Sequence, residues 1–213
     1  MIMKVGIFGG TFNPIHKGHI GAAYAFLRAV EPDKLLVIPT KIPPHKVITS
    51  DDDPAIRLEM TARAFSADKE YAGRIEVSDI EIRSEGKSYT YYTLQKFKEM
   101  GFDEIYLYRQ KLCTYPKHSK SILQRFDLWF RFEDILSMCT LAYASRLENA
   151  CPEASEKIAM LRERYGANIL EIPLDPIEIS SSEIREMIRK GEDASAFLSP
   201  EVIDFISERG LYQ

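Results

Sequence analysis

The sequence predicts an α/β fold in which a parallel sheet is flanked by helices and followed by a helical C-terminal portion. Short apolar runs alternate with amphipathic stretches of helical period along most of the 213 residues. The first run, residues 3–8, has the length and continuous hydrophobicity of a buried parallel strand. Because helices separate successive strands, right-handed crossovers between parallel strands are expected. A chain of this length favours one domain, and we predict a single domain over residues 1–213.

A glycine-rich turn joins the first predicted strand to the first predicted helix. Gly9 and Gly10 follow the strand, and their missing Cβ atoms let the backbone approach a ligand closely. Asn13-Pro14 predicts the turn, and the periodic apolar residues 20–30 predict the helix. Gly6 and the later glycines lack the Gly-x-Gly-x-x-Gly spacing, so the turn does not indicate a dehydrogenase.

Two histidines lie at the N-terminal end of that helix. His16 and His19, with Gly18 between them, are two of only four histidines in the chain. Helix N-termini favour anions, and open α/β sheets bind ligands at the carboxyl ends of their strands. A strand, turn and helix with incidental histidines is the alternative, but the clustering favours a phosphate site.

A second strand is predicted at residues 34–39, followed by a stiff loop with three prolines. The loop carries Lys41, His45 and Lys46, which are cations suited to contact a phosphate chain. A rigid surface connection is the ordinary alternative. The position of the loop after the second strand, at the same sheet edge as the histidines, favours phosphate contact.

The middle of the chain predicts a helix, a strand and another helix. Residues 51–54 cap a helix over 55–67, and alternating apolar residues predict a strand over 74–82. Ser88 and Thr90 are predicted caps of a helix that runs to Met100. The rest of the chain predicts strands at 104–108, 139–144 and 168–172 and helices at 152–165 and 200–209, the last with Val202, Phe205 and Ile206 inward.

Three consecutive serines, residues 180–182, open a further helix. Their hydroxyls and the amide groups of the helix start could bind an anion. Arg185, one turn later, adds a planar guanidinium that suits phosphate oxygens. An ordinary Ser-x-x-Glu capping box is the alternative.

The composition excludes several classes of protein. A net charge of −4 and a pI near 5.7 argue against nucleic acid or an anionic membrane as the main partner. No apolar run has the length of a membrane span, and the first residues form a strand rather than a signal peptide. The three cysteines lack Cys-x-x-Cys spacing, which favours a cytoplasmic protein without structural zinc. Whether the chain forms a homo-oligomer is left open.

Residues 9–19, GGTFNPIHKGH, resemble the signature of the HxGH nucleotidyltransferase superfamily, and the chain is similar to its nicotinate-nucleotide adenylyltransferases. The resemblance covers the chain apart from residues 109–125. It implies a Rossmann-like sheet and transfer of AMP from ATP to nicotinate mononucleotide. The products would be nicotinate adenine dinucleotide and pyrophosphate, in NAD biosynthesis.

The resemblance also implies which residues bind ATP. His16 and His19 would contact the α- and β-phosphates, and Lys46 and Arg185 the triphosphate. Mg²⁺ is expected to travel with the ATP phosphates, because the sequence offers no carboxylate cage for it. The further ATP-binding residues implied are Gly9, Gly10, Thr11, Phe12, Gly18, Ser180 and Ser181.

The acceptor site follows from two other segments. Tyr89 and Thr90 lie in a Ser-Tyr-Thr segment similar to the one that lines the pyridine-carboxylate pocket of the family. Trp129, with Phe130 beside it, matches an aromatic pair that stacks on the nicotinate ring. From composition alone, core packing is the alternative for the single tryptophan.

The chain departs from the family pattern at residues 109–125, where it has neither the Gly-x-Asp segment nor any glycine. A lineage-specific loop and a local reading-frame anomaly are both open explanations. Three alternatives for function therefore stay open. They are an adenylyltransferase acting on phosphopantetheine, one acting on nicotinamide mononucleotide, and a catalytically impaired nucleotide-binding protein.

Overall fold

A computed structural model describes residues 3–43, 53–66, 70–109, 123–145, 152–174, 177 and 179–213. Lys46 and His45 lie outside the described residues, as does most of the atypical segment. The strands are β1 (Lys4–Gly10), β2 (Lys34–Pro39), β3 (Ile75–Val77), β4 (Glu104–Arg109), β5 (Thr140–Ser145) and β6 (Ile169–Pro173). The helices are α1 (Lys17–Val30), α2 (Pro54–Ser66), α3 (Thr90–Glu99), α4 (Phe132–Met138), α5 (Pro152–Tyr165), α6 (Ser181–Arg189) and α7 (Pro200–Arg209), with a 3₁₀ helix at Leu123–Leu128.

The strands form a six-stranded sheet in the order β3-β2-β1-β4-β5-β6. Strand β1 is parallel to β4, with Val5 opposite Ile105, and β4 is parallel to β5, with Leu107 opposite Leu141. Strand β6 continues the parallel pairing from β5. The predicted Rossmann-like parallel sheet with flanking helices is confirmed.

The chain divides into two compact units. The first comprises Met1–Phe8, Tyr24–Leu35 and Tyr89–Asp175, and the second comprises Gly9–Ala23, Leu36–Ser88 and Pro176–Gln213. In the first unit, Tyr108 stacks on Phe8 with 4.8 Å between ring centroids and packs against Phe26 at 5.3 Å. Burial raises the pKa of the Tyr108 hydroxyl. A Cβ on Gly6 would lie 3.0 Å from the Phe26 ring, so only glycine fits beneath that ring without displacing it.

The second unit is held together by the packing of α2 against α7. Val202, Phe205 and Ile206 of α7 are buried as predicted. The guanidinium of Arg63 lies 4.6 Å from the centroid of the Phe205 ring and pairs with Glu208 at 2.8 Å. These pairs are half-exposed, so the apolar face contributes most of the stability of this contact.

Two expectations for the middle of the chain were wrong. Strand β3 ends at Val77, because residues 78–84 form turns in which Ser84 donates both its amide and its hydroxyl to nearby carbonyls. The residue before α3 is Tyr89, whose side chain makes no capping hydrogen bond. Ser88 does not cap α3, because its Oγ accepts a hydrogen bond from the Lys41 amide, and Thr90 is the first residue of the helix rather than its cap.

Among the described residues, no helix combines the length and the hydrophobicity that crossing a membrane requires.

Candidate active site

The glycine turn lies in the second unit, between β1 and α1. Strand β1 extends to Gly10, whose carbonyl accepts a hydrogen bond from the Thr40 amide. A Cβ on Gly10 would lie 2.5 Å from the ring of Phe12, so a side chain at this position would displace that ring. Phe12 is buried at 2% exposure, and its ring meets the edge of His19 at 5.2 Å. Phe12 therefore supports the histidine ring with its side chain.

The two predicted histidines form a close pair. Their ring centroids are 3.7 Å apart with 35° between the planes, and His16 is buried. The His16 amide donates to Nδ1 of His19 at 3.3 Å, so a neutral His19 carries its proton on Nε2. A Cβ on Gly18 would approach the His16 ring to 3.0 Å, which explains the glycine between the histidines. The sequence prediction that these residues come together is confirmed.

Helix α1 begins at Lys17, three residues earlier than predicted. The carbonyl of His16 accepts hydrogen bonds from the amides of His19 and Ile20, and the Lys17 amide donates to Phe197 at 2.8 Å. The Lys17 ammonium group also donates to the carbonyls of Ser195 and Ala196. The first amide of α1, that of Lys17, therefore already has a hydrogen-bond acceptor within the second unit.

Helix α6 fastens the turn that precedes the histidines. Arg185 donates from Nη1 to the carbonyl of Asn13 at 2.6 Å, and the Ser181 hydroxyl donates to the carbonyl of Pro14 at 2.9 Å. The capping box is confirmed, because Ser180 accepts from the Glu183 amide and Glu183 accepts from the Ser180 amide. The peptide bond between Asn13 and Pro14 is cis.

Sequence reasoning did not identify a buried arginine beside this turn. Arg57 of α2 is 1% exposed and donates from Nη1 to the carbonyl of Thr11 at 2.8 Å. Its Nη2 donates to the carbonyl of Lys41 at 3.1 Å. The signal was available, because Arg57 shares the buried face of α2 with Met60 and Ala64 at helical spacing. Lys41, expected to offer its charge to a phosphate, donates its ammonium group to the Ser84 carbonyl.

The residues predicted to line the acceptor site lie in the first unit. Two of them belong to an aromatic cluster, which we define as Tyr89, Tyr91, Tyr92 and Phe130. Phe130 lies 5.2 to 5.9 Å from the ring centroids of the three tyrosines and is 45% exposed. Exposed aromatic rings in mutual contact offer a surface on which a flat, polarisable ring can stack. Tyr89 and Phe130 are therefore brought together.

Trp129 contacts a buried ring outside the aromatic cluster. Its ring packs on the fully buried Phe126, with 5.1 Å between centroids, and it is itself half-buried. Part of the Trp129 ring therefore packs against the core, as the composition-based alternative predicted.

Arg131 joins α4 to the aromatic cluster. Its Nε donates to Asp134 at 2.7 Å, and its Nη1 donates to the Tyr91 hydroxyl at 2.8 Å. The hydrogen bond to Asp134 raises the pKa of Arg131, so the guanidinium stays charged. Its φ of 54° is unusual for a residue with a side chain, and no sequence signal indicated it.

The part of the chain that the structure describes contains no group of three or more His, Cys, Asp or Glu side chains arranged to hold a metal ion.

Comparison with known proteins identifies the family. The cytidylyltransferase-like family matches residues 7–187. A probable nicotinate-nucleotide adenylyltransferase of Clostridium tetani is 31% identical over 210 residues, covering 99% of both chains. One of Clostridium perfringens is 33% identical, over 99% of this chain and 98% of the relative. Among solved structures, nicotinic acid mononucleotide adenylyltransferase of Plasmodium falciparum, complexed with NaAD, has the same fold, with a TM-score of 0.77. The match covers 99% of this chain and 97% of that chain, at 19% sequence identity.

The matched segment contains the glycine turn, the histidine pair and the serines of α6, and the match to the bacterial relatives spans essentially the whole chain. The chain therefore belongs to the cytidylyltransferase-like family, and within it to the nicotinate-nucleotide adenylyltransferases.

Proposed function

We propose that this protein transfers AMP from ATP to nicotinate mononucleotide, giving nicotinate adenine dinucleotide and pyrophosphate in NAD biosynthesis. The observation that carries the proposal is the close His16–His19 pair that follows the glycine turn. The names of the bacterial relatives support the same reaction. The chain acts as one nucleotidyltransferase domain in the cytoplasm.

The chemistry requires positioning and charge neutralisation more than a covalent nucleophile. The 5′-phosphate of the mononucleotide attacks the α-phosphorus of ATP in line, and pyrophosphate leaves. His19 donates from Nε2 to an α-phosphate oxygen as charge moves towards the leaving group, and His16 acts on the β-phosphate. The backbone of Gly9, Gly10 and Thr11 borders the nucleotide phosphates, where the absence of side chains on the glycines gives the closest approach.

Several other residues are proposed to contact the triphosphate. Arg185 contacts the phosphate chain with guanidinium N–H groups that its bond to the Asn13 carbonyl does not use. Ser181 contacts it with its backbone amide, because its hydroxyl hydrogen is donated to the Pro14 carbonyl.

The Gly18 amide lies at the start of α1, where the helix dipole favours anions. Ser180 lies before α6, where a phosphate oxygen would replace the Glu183 carboxylate that now accepts from its amide and its hydroxyl. Lys46 completes this group as a cation on a proline-rich loop.

Mg²⁺ enters with ATP rather than as a resident metal. The donor set fits this arrangement, because the described residues around the histidines are amides, hydroxyls, imidazoles and a guanidinium rather than carboxylates. A hard cation prefers the phosphate oxygens of the nucleotide in such surroundings. When bound, the ion neutralises charge on the β- and γ-phosphates.

Removal of divalent cations is expected to abolish pyrophosphate release. Excess EDTA in the assay should reduce the rate to background, and excess Mg²⁺ should restore it. The thermal unfolding midpoint should stay unchanged in EDTA, because the ion belongs to the substrate. A loss of stability in EDTA would instead indicate a resident metal.

The acceptor ring binds at the aromatic residues of the first unit. Tyr89, Thr90, Trp129 and Phe130 are proposed to line the nicotinate site, with the exposed face of Trp129 as the stacking surface. Aromatic stacking of a base is worth about 1–3 kcal/mol by alanine substitution.

Trp129→Ala is therefore expected to raise KM for nicotinate mononucleotide by roughly 10-fold, the effect of about 1.4 kcal/mol. KM for ATP should change less than about twofold, because the ATP residues lie elsewhere in the sequence. Steady-state kinetics with each substrate varied in turn would measure both. Trp129 is the only tryptophan, so its fluorescence in the unaltered protein should be quenched by the mononucleotide. An equal rise in both KM values would contradict the assignment.

The function is tested by identifying products. Purified protein is incubated with ATP, Mg²⁺ and one acceptor at a time, and the products are separated and identified by mass spectrometry. The acceptors are nicotinate mononucleotide, nicotinamide mononucleotide and phosphopantetheine. We expect nicotinate adenine dinucleotide as the main product. Product with phosphopantetheine alone, or ATP binding without any product, would replace the proposed function by one of the alternatives.

A further inference from the structure

Tyr212, which follows α7, contacts the turn that leads to the catalytic histidines. Its hydroxyl donates a hydrogen bond to Oδ1 of Asn13. Tyr212 is 7% exposed and has a φ of 65°, a conformation that residues with bulky side chains rarely adopt. Both residues belong to the second unit.

The path of the chain after α7 explains how the ring reaches Asn13. Gly210 ends the helix with a φ of 59°, and the Leu211 amide donates back to the Ile206 carbonyl. This is a typical glycine-terminated helix end, and it reverses the chain direction. Tyr212 itself has a left-handed backbone conformation, and its hydroxyl reaches the Asn13 side chain.

The Asn13–Pro14 turn is held at three oxygen atoms by residues distant in sequence. Arg185 donates to the Asn13 carbonyl, Ser181 donates to the Pro14 carbonyl, and Tyr212 donates to the Asn13 side chain. Two of these donors, Arg185 and Ser181, belong to α6 and are also proposed to bind the phosphates of ATP. Tyr212 is not among the residues proposed to bind ATP, and its hydroxyl reaches the turn through the Asn13 side chain.

We infer that Tyr212 is a positioning residue for adenylyl transfer. Its hydrogen bond fixes the Asn13 side chain and with it the backbone that runs through Pro14 and Ile15 to His16. The backbone amide of His16 in turn holds the ring of His19 through Nδ1. A loosened turn would misplace both imidazoles relative to the phosphates, which lowers the rate of the chemical step more than the affinity for substrate. The expected effect on kcat rests on the proposed function, whereas the expected effect on the structure of the turn does not.

Tyr212→Phe tests the inference, because it removes the hydroxyl and keeps the ring. Loss of one neutral hydrogen bond predicts a fall in kcat of roughly fivefold. KM for ATP and for nicotinate mononucleotide should each change less than about twofold. The melting temperature should fall by no more than about 4 °C, the shift expected from losing one hydrogen bond in a chain of this length. Tyr165→Phe is the matched control, since the described structure gives the Tyr165 hydroxyl no hydrogen bond, and its kcat should match the unaltered protein.

A double-mutant cycle separates positioning from general stabilisation. Asn13→Leu removes the acceptor, and the combination with Tyr212→Phe should lower kcat no further than Asn13→Leu alone. Multiplicative losses would overturn the inference, as would a kcat for Tyr212→Phe within twofold of the unaltered protein. Hydrogen exchange gives a readout that needs no enzyme activity. The amides of Asn13, Ile15 and His16 should exchange faster in Tyr212→Phe. An unchanged exchange pattern would overturn the inference even if the protein released no pyrophosphate with any acceptor.

Discussion

Replacement of His19 by alanine is expected to lower kcat by about 100-fold or more, the loss typical of removing one donor to a developing charge in the transition state. The Nδ1 atom of His19 accepts from the His16 amide, so its donor capacity is concentrated on Nε2. The substitution removes that donor and also the edge contact with Phe12. Steady-state pyrophosphate release with saturating ATP and mononucleotide measures the loss.

His19→Gln provides the control for this experiment. A glutamine amide can still donate to a phosphate oxygen, so its kcat should lie between those of the alanine variant and the unaltered protein. ATP affinity and the melting temperature should be similar in both variants. An unchanged kcat in His19→Ala would refute the role assigned to this residue.

Arg57→Met is expected to lower the free energy of unfolding by about 2–4 kcal/mol, because two carbonyl groups beside a buried side chain would lose their donors. Methionine keeps much of the volume of the arginine stem, so the loss reflects hydrogen bonding rather than a cavity. The Thr11 and Lys41 carbonyls belong to the glycine turn and to the segment after β2. KM for ATP should therefore rise as well.

Urea denaturation measured by circular dichroism gives the stability change. Arg28→Met is the matched control, since Arg28 is exposed on α1, and a change within about 0.5 kcal/mol is expected there. Arg57→Lys should recover part of the loss, because an ammonium group can serve one carbonyl but not both in the same geometry. If Arg57→Met were as stable as Arg28→Met, the buried guanidinium would have no structural role.

The sequence was most informative where a pattern repeats. Strand β2 and helices α5 and α7 have the predicted bounds, because continuous apolar runs and helical periodicity report burial directly. The strand predicted over residues 74–82 ends at Val77, and the reason is the opposite one. There, side-chain and backbone hydrogen bonds within a few residues compete with the sheet, and alternation alone does not reveal this competition.

In the candidate site, too, contacts between residues close in sequence could be predicted and contacts between distant residues could not. The spacing of His16 and His19 was enough to predict that they come together, because both lie within one turn of a helix start. The donors that hold the Asn13–Pro14 turn could not be predicted, since Arg185 and Tyr212 are more than 170 residues away in sequence. Their contacts depend on tertiary packing, which leaves no local pattern in the sequence.

Pyrophosphate release from ATP and Mg²⁺, measured with each mononucleotide in turn, tests the central claim most directly. We predict a rate with nicotinate mononucleotide well above that with nicotinamide mononucleotide or phosphopantetheine, and no release without an acceptor. The His19→Ala variant, assayed in parallel, should lose about 100-fold of that rate. Protein that binds ATP but releases no pyrophosphate with any of these acceptors would contradict the claim that this chain is a working nicotinate-nucleotide adenylyltransferase.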